Sequence, residues 1–316
     1  MTSNVKLCFV RWLGLLLVMA LLIGHALPQS IVTGDAVGTI TDPSGAVISG
    51  ATVTLTNADT GATQSVTTAS NGFYRFPLLK PGMYEVVVRQ SGFKTISQSI
   101  LVSVGQIVTT NVKLEIGATS QVLEVTGAPP LIETENANLA TTYSTSQLQE
   151  LPTPGNDITS YAYSAPGVTL NSAMGYGNFS SFGLPSISNL FTTNGNDNMD
   201  PYLNLNNSGA SNLTLGANEL DQISIVQNGY TAQYGRQAGA QVNAATKSGT
   251  NSLHGNARYW WNGSSMNAND WFGNNLGAPR PFANNNQWAA SIGGPIVKNK
   301  LFFFVDQEGL RLCFRV

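Results

Sequence analysis

The chain has 316 residues, enough for about two domains, and its 42% apolar content suffices for packed cores and excludes wholesale disorder. Charged residues make up only 10%, against roughly 25% in an ordinary soluble domain. With a formal net charge of −2 there is no basic footprint for nucleic acid, and that partner class is set aside.

Residues 1–26 read as an export signal. Lys6 and Arg11 precede an apolar run from Leu13 to Ile23, and Gly24-His25-Ala26 offers small residues at the −3 and −1 positions of a cleavage site. The run is about half of the ~20 residues that a membrane span needs. Cys8 would leave with the signal, so the mature chain would keep only Cys313 and could form no intrachain disulfide. Export without a disulfide points to a Gram-negative periplasm or outer membrane.

Residues 31–115 alternate with a period of two and are broken by turn signals at the spacing of a β-sandwich. Val108, Thr110, Val112 and Leu114 face one way, and Thr109, Asn111 and Lys113 the other. Ala51, Val53 and Leu55 make a second stripe, and Tyr84, Val86 and Val88 a third. Asp42-Pro43-Ser44-Gly45, Ser70-Asn71-Gly72 and Lys80-Pro81-Gly82 are the turns. About seven strands in this length make a compact sandwich rather than a catalytic domain. Gly38-Thr39-Ile40-Thr41-Asp42, Gly50 to Leu55, Asn71 to Phe76, Pro81 to Val86 and Ser91-Gly92-Phe93 together resemble the carboxypeptidase regulatory-like domain, a transthyretin/Ig-like sandwich. The family's name implies no zinc peptidase here, because His25 and His254 are the only histidines.

Residues 116–130 read as a linker, and 131–249 as a separate α+β domain. The second region resembles the plug of Oar-like TonB-dependent receptors. The resemblance rests on Gln147-Leu148-Gln149-Glu150-Leu151-Pro152, Ala165-Pro166-Gly167-Val168, Asn218 to Val226, Tyr234 to Ala240, and above all Val242 to Asn251 with its Lys247-Ser248-Gly249-Thr250 turn. Asn194-Gly195-Asn196-Asp197-Asn198-Met199-Asp200-Pro201 departs from it, standing where relatives tend to have an Asp-Gly-Val-type strand. Within the linker, Val122-Leu123-Glu124-Val125-Thr126 is similar to a TonB box, the extended peptide that pairs with the energy-coupling protein TonB. A short apolar stretch before Pro129-Pro130 is also what an ordinary edge strand looks like.

Candidate chemistry is sparse. The Asn194–Asp200 run offers oxygen ligands, but a calcium loop wants several carboxylates and a bidentate Glu near its end; Asp197 and Asp200 alone favour a polar loop. One mature His and one mature Cys cannot make a zinc site. A Ser-His-acid triad lacks a positioned His, because His254 falls in a predicted strand. Gly293-Gly294-Pro295 with Lys298 lacks the spacing of a phosphate loop, and Glu133 and Glu135 read as solvated carboxylates. The expectation is a protein without catalytic residues, cofactor or metal.

Residues 250–316 carry the pattern of membrane strands. Leu253, Gly255, Ala257, Tyr259 and Trp261 alternate with His254, Asn256, Arg258, Trp260 and Asn262. A second strand fits Asn286–Gly294, with Trp288, Ala290 and Ile292 outward, and a third begins at Leu301. The connection from Gly263 to Asn285 is long and that from Pro295 to Lys300 short, matching the long extracellular loops and short periplasmic turns of outer-membrane barrels. The resemblance implies a 22-stranded barrel. Room for about three strands predicts a truncated barrel and a fragment of a longer gene product.

The function these readings imply is energy-coupled uptake through the outer membrane, with the sandwich in the periplasm. The partners would be the TonB complex, outer-membrane lipid and a substrate of unassigned identity, a carbohydrate or a peptide. The rival is a secreted or periplasmic sandwich that binds a ligand, with a carbohydrate-binding-like fold and no transport. Phe73, Tyr74, Phe76 and Tyr84 would have to form its binding platform, and they fit a core equally well.

Overall fold

The computed structural model describes residues 32–117, 122–125, 137–151, 158–170, 179–202, 204–205, 216, 218–231 and 233–313. The export signal, Thr126, Glu133 and Glu135 lie outside the described residues.

The first core is a two-sheet sandwich. One sheet holds β1 (Gly34–Thr41), β4 (Phe73–Leu79), β7 (Ile107–Thr109) and β8 (Val112–Lys113). The other runs in the order β3-β2-β5-β6-β9, with β2 Thr52–Asn57, β3 Thr63–Thr67, β5 Gly82–Arg89, β6 Thr95–Val102 and β9 Val122–Val125. The alternating stripes meet between the sheets: Ala36, Ile40, Tyr74 and Phe76 pack with Val53, Leu55, Tyr84, Val86, Val88, Ile96 and Ile100. Val112 and Leu114 close the same core, as their alternation requires. Tyr74 keeps its ring buried by donating from its hydroxyl to the Thr110 carbonyl at 2.7 Å. Burial holds that phenol well above the usual tyrosine range. Of the four aromatics considered as a platform, Tyr74, Phe76 and Tyr84 are buried and Phe73 is partly exposed.

The turns form where their chemistry demands. Asp42 Oδ1 accepts from the amides of Ser44 (2.8 Å) and Ala46 (2.9 Å), closing the Pro-Ser-Gly turn from inside. The region read as a linker is not wholly one: Val122–Val125 is a strand parallel to β6. This is the edge strand that a short apolar stretch before Pro129-Pro130 also suggested, but nothing local in the sequence names a parallel partner so far back along the chain.

The second core belongs to a mixed five-stranded sheet, β10-β15-β16-β13-β14, formed by β10 Leu139–Tyr143, β13 Leu190–Thr193, β14 Asn196–Asp197, β15 Leu220–Asn228 and β16 Gln241–Thr246. β13 and β16 are parallel, and the other pairs antiparallel. Helix α1 (Thr145–Glu150) starts on Ser144, whose amide donates to Gln147 Oε1 at 2.9 Å, the backward reach that a Ser-x-x-Gln start makes possible. A 3-10 segment (Ile158–Ser164) and the hairpin of β11 (Val168–Leu170) with β12 (Phe179–Ser181) complete the unit. Tyr161, Phe179, Phe191, Ile223, Ile225 and Val242 fill its centre.

The Asn194–Asp200 run, expected as a polar loop, opens with a tight Asn194-Gly195 turn that leads from β13 into β14. Asn194 and Gly195 both take positive φ, 51° and 81°, the pair of left-handed residues that a two-residue hairpin turn needs and that Asn-Gly supplies at little strain.

The third unit is a meander of β17 (His254–Gly263), β18 (Asn284–Val297) and β19 (Leu301–Cys313). All three start close to the expected positions, and β18 and β19 run longer than the alternation alone suggested. The short turn is Lys298–Lys300; the long connection contains helix α2 (Trp271–Leu276), capped by Asp270, which accepts from the Gly273 amide at 2.7 Å.

Residues 31–115 are expected to fold alone as a metal-independent monomer, since nearly all of the sandwich core lies within them. Phe76→Ala in that fragment should cost about 3–5 kcal/mol. A far-UV CD spectrum of coil for the parent fragment, or an unchanged urea midpoint for the variant, would contradict this.

Candidate functional site

The functional geometry lies where the three units meet. Along β17, Gly255, Ala257, Tyr259 and Trp261 are exposed, while His254, Asn256, Arg258 and Trp260 are half-buried; the alternation ends at Asn262, which is exposed too. β18 continues the exposed face with Trp288, Ala290 and Ile292, and β19 adds Leu301 and Val305. Register aligns this face: Tyr259 opposes Trp288 and Ile292 opposes Val305. The outward ring tips still find polar partners, Tyr259 Oη donating to Asn286 Oδ1 at 2.6 Å and Trp261 Nε1 to Asn284 Oδ1 at 2.9 Å. An apolar outer face with polar-tipped aromatics near one end is the layout of a lipid-facing strand with its interfacial girdle.

The opposite face holds the five-stranded unit. Arg258 reaches inward to Gln149 on α1, with Nη2 to Oε1 at 2.7 Å and Nη1 to the carbonyl at 3.3 Å. Asn218, just before β15, donates from Nδ2 to Asp306 Oδ1 at 2.5 Å and from its amide to Glu308 Oε1 at 3.1 Å. Lys247, after β16, donates to the Asn218 carbonyl at 2.7 Å, and burial lowers its ammonium from the ordinary range. Burial raises the carboxyls of Glu219 and Asp221; Asp221 Oδ1 accepts from Thr145 Oγ1 at 2.7 Å. Gly249 makes the join possible, because a Cβ there would collide with the carbonyl oxygens of Phe303 and Gly294.

The sandwich docks beneath. Val104 donates its amide to Gln222 Oε1 at 3.1 Å and packs with Val32 and Ala245. Asn251 donates its amide to the Asp59 carbonyl at 2.8 Å, and its side chain exchanges bonds with Asn299 on the short β18–β19 turn at 2.7 and 2.8 Å. A cleft of about 1510 Å³ opens at this junction, with Leu78, Met83 and Leu101 on the sandwich side and Thr142, Gln147 and Lys247 on the other.

Of the segment read as coupling peptide, Val122, Leu123, Glu124 and Val125 form β9; Thr126 lies outside the described residues. His254 opens β17, its ring stacked near Phe304 with centroids 6.4 Å apart. Gly293, Gly294 and Pro295 sit inside β18, paired with β19. Asp197 is ion-paired with Arg236, and no cluster of three metal-ligating side chains occurs among the described residues. The inward bonds of Arg258, Asn218 and Asp306 were missed from sequence. A lone charge at an inward-facing position of an otherwise uncharged strand was the available signal for Arg258.

Residues 36–115 match the carboxypeptidase regulatory-like domain, and residues 245–314 match the outer membrane beta barrel domain. The first match falls on the sandwich and the second on the end of β16 and the three-stranded meander. Over nearly its whole length the chain is similar to an Oar-like TonB-dependent receptor: it is 28% identical to the TonB-dependent transporter Oar of Myxococcus xanthus over 314 residues, covering 93% of this chain and 28% of that protein. The chain thus spans little more than a quarter of this curated relative's length. Among solved structures, the siderophore receptor PirA from Acinetobacter baumannii is similar over 54% of this chain and 24% of its own, at 20% identity and a TM-score of 0.41. The Bacillus anthracis TIE protein is similar over 27% and 17%, at 24% identity and a TM-score of 0.25. Neither of these two likenesses carries a functional argument.

The raised carboxyls give the junction a pH dependence of known sign. A carboxyl raised on folding contributes stability that is fully present below its unfolded value, 3.8 for Asp221, and lost as pH rises through the folded value. Acidification from neutral pH toward that range should raise the urea midpoint of the five-stranded unit, and Asp221→Asn should reduce the rise. An equal rise in both proteins would place the dependence elsewhere.

Proposed function

We propose that the chain is the N-terminal part of a TonB-dependent outer-membrane transporter, in which 131–249 is the plug, β17–β19 are wall strands and the sandwich stands in the periplasm. The observation that carries this reading is the two-faced meander, apolar and aromatic outside, with inward Arg258, Asp306 and Glu308 bonded to Gln149 and Asn218 of the five-stranded unit. A wall that presents apolar rings to lipid and polar groups to a central domain suits a barrel closed around a plug. The similarity to Oar and the two matched domains support the same reading.

In this mechanism no covalent step occurs. Substrate, of a class such as a carbohydrate or a peptide, binds from outside. TonB engages the region of Val122–Thr126 by strand addition, which draws affinity from backbone hydrogen bonds, and the plug shifts against the wall. The wall contacts suit such a shift: hydrogen bonds to charged groups contribute about 1.5–3 kcal/mol each, and water can replace them as they part. The open edges of β17 and β19 among the described residues are filled by further strands of the complete barrel.

A peptide spanning Val122–Thr126 should bind the C-terminal domain of TonB, and Val125→Pro should weaken binding on the order of tenfold by deleting a backbone donor. Equal binding by both peptides would remove this segment from coupling.

A further inference from the structure

β9 is already part of a sheet, and its position in that sheet bears on how a partner would engage it. It pairs parallel to β6 through Thr95↔Val122, Ile96↔Leu123, Ser97↔Glu124 and Gln98↔Val125. Glu115 and Gly117 are held beside the start of β6 as well. Lys94 donates its amide to the Glu115 carbonyl at 2.8 Å and its ammonium to the Glu115 carboxylate at 3.0 Å, and the Gly117 amide donates to the Gly92 carbonyl at 3.2 Å. β6 itself is anchored by buried Ile96, Ile100 and Val102.

The two ends of this sheet differ. The far edge, β3, reads Thr-Gln-Ser-Val-Thr and is exposed along most of its length, the kind of polar strand that discourages edge pairing. β9 reads Val-Leu-Glu-Val, with no proline and one charge, and no described strand lies on its other side. It is a short apolar strand, aligned by its neighbour, with its outer row of backbone donors and acceptors unpaired among the described residues. A partner that binds by strand addition needs one edge of a strand, and β9 has one to offer.

Resting on the coupling role proposed for Val122–Thr126, we infer that β9 receives the extended strand of its energy-coupling partner while still hydrogen-bonded to β6. The sandwich is then a docking platform for the partner, which joins the sheet as a sixth strand. Holding the segment extended before contact removes part of the ordering cost that a loose peptide would bear on binding. The competing arrangement, in which β9 must first leave β6, predicts the opposite effect of locking the two strands together.

The test is a disulfide lock in the full chain, with Cys8 and Cys313 replaced by Ser. Gln98→Cys with Val125→Cys places thiols on directly paired residues, and neighbouring strands about 4.8 Å apart fall within disulfide reach. Ser97→Cys with Glu124→Cys provides a second pair on the opposite face. Binding of the isolated TonB C-terminal domain is measured on each variant, oxidised and then reduced, so that any lost side-chain contact cancels. The expected result is that oxidised and reduced forms bind within about twofold of each other. A loss on the order of tenfold or more on oxidation, restored by reduction, would overturn the inference and leave the coupling role standing. Failure of both pairs to oxidise would show that β9 does not rest on β6 in solution and would also overturn it. Absence of binding by the unsubstituted chain would remove the coupling role itself, and the inference with it.

Discussion

Every backbone amide and carbonyl taken from water needs a partner, and this requirement at strand edges governs each unit of the chain. In the sandwich, β9 covers the edge that β6 would otherwise present. In the meander, β18 is paired along both sides, whereas β17 and β19 are each paired along one. Water can satisfy an open edge and hydrocarbon cannot, so in the outer-membrane reading proposed above β17 and β19 are paired by further strands. The same rule treats the central sheet differently: its short edge strand β14, two residues long, is held by a tight turn and needs little covering.

The second constraint is that the junction between the central sheet and the meander is polar, while the cores within the units, and the small Val32–Val104–Ala245 contact of the sandwich with the sheet, are apolar. Ile223, Ile225 and Val242 hold the central sheet together through burial that only unfolding would reverse. Arg258 with Gln149 and Asn218 with Asp306 hold it to the wall through groups that water can satisfy equally well. Parting the units therefore costs far less than melting either. The plug movement proposed above needs this division between internal cohesion and external attachment.

Much of this was legible in the residues. Period-two alternation located the sandwich stripes at Ala51, Val53 and Leu55 and the outward row at Trp288, Ala290 and Ile292, because strand geometry converts sequence parity directly into facing. Turn chemistry located Asp42 to Gly45 for equally local reasons. The parallel pairing of β9 with β6 was not legible, since parallel partners are remote in sequence and leave no local mark. The Asn194-Gly195 turn was overlooked even though its dipeptide is a hairpin signal; with so many Asn and Gly nearby, composition suggested a loop. The wall contacts of Asn218 and Lys247 depend on how two folded units meet, which neither unit's periodicity encodes.

In the coupling proposed above, the placement of β9 also decides where a pull is carried. A pull applied there divides along two paths. One runs through the β6 ladder into the sandwich, the other through residues 126–138 toward β10. The sandwich is joined to the central sheet by Val104 with Gln222 and to the start of the meander by Asp59 with Asn251. The first of these seams combines the buried contact of Val104 and Val32 with Ala245 and the hydrogen bond to Gln222, so the sandwich and the central sheet share a load instead of bearing it separately.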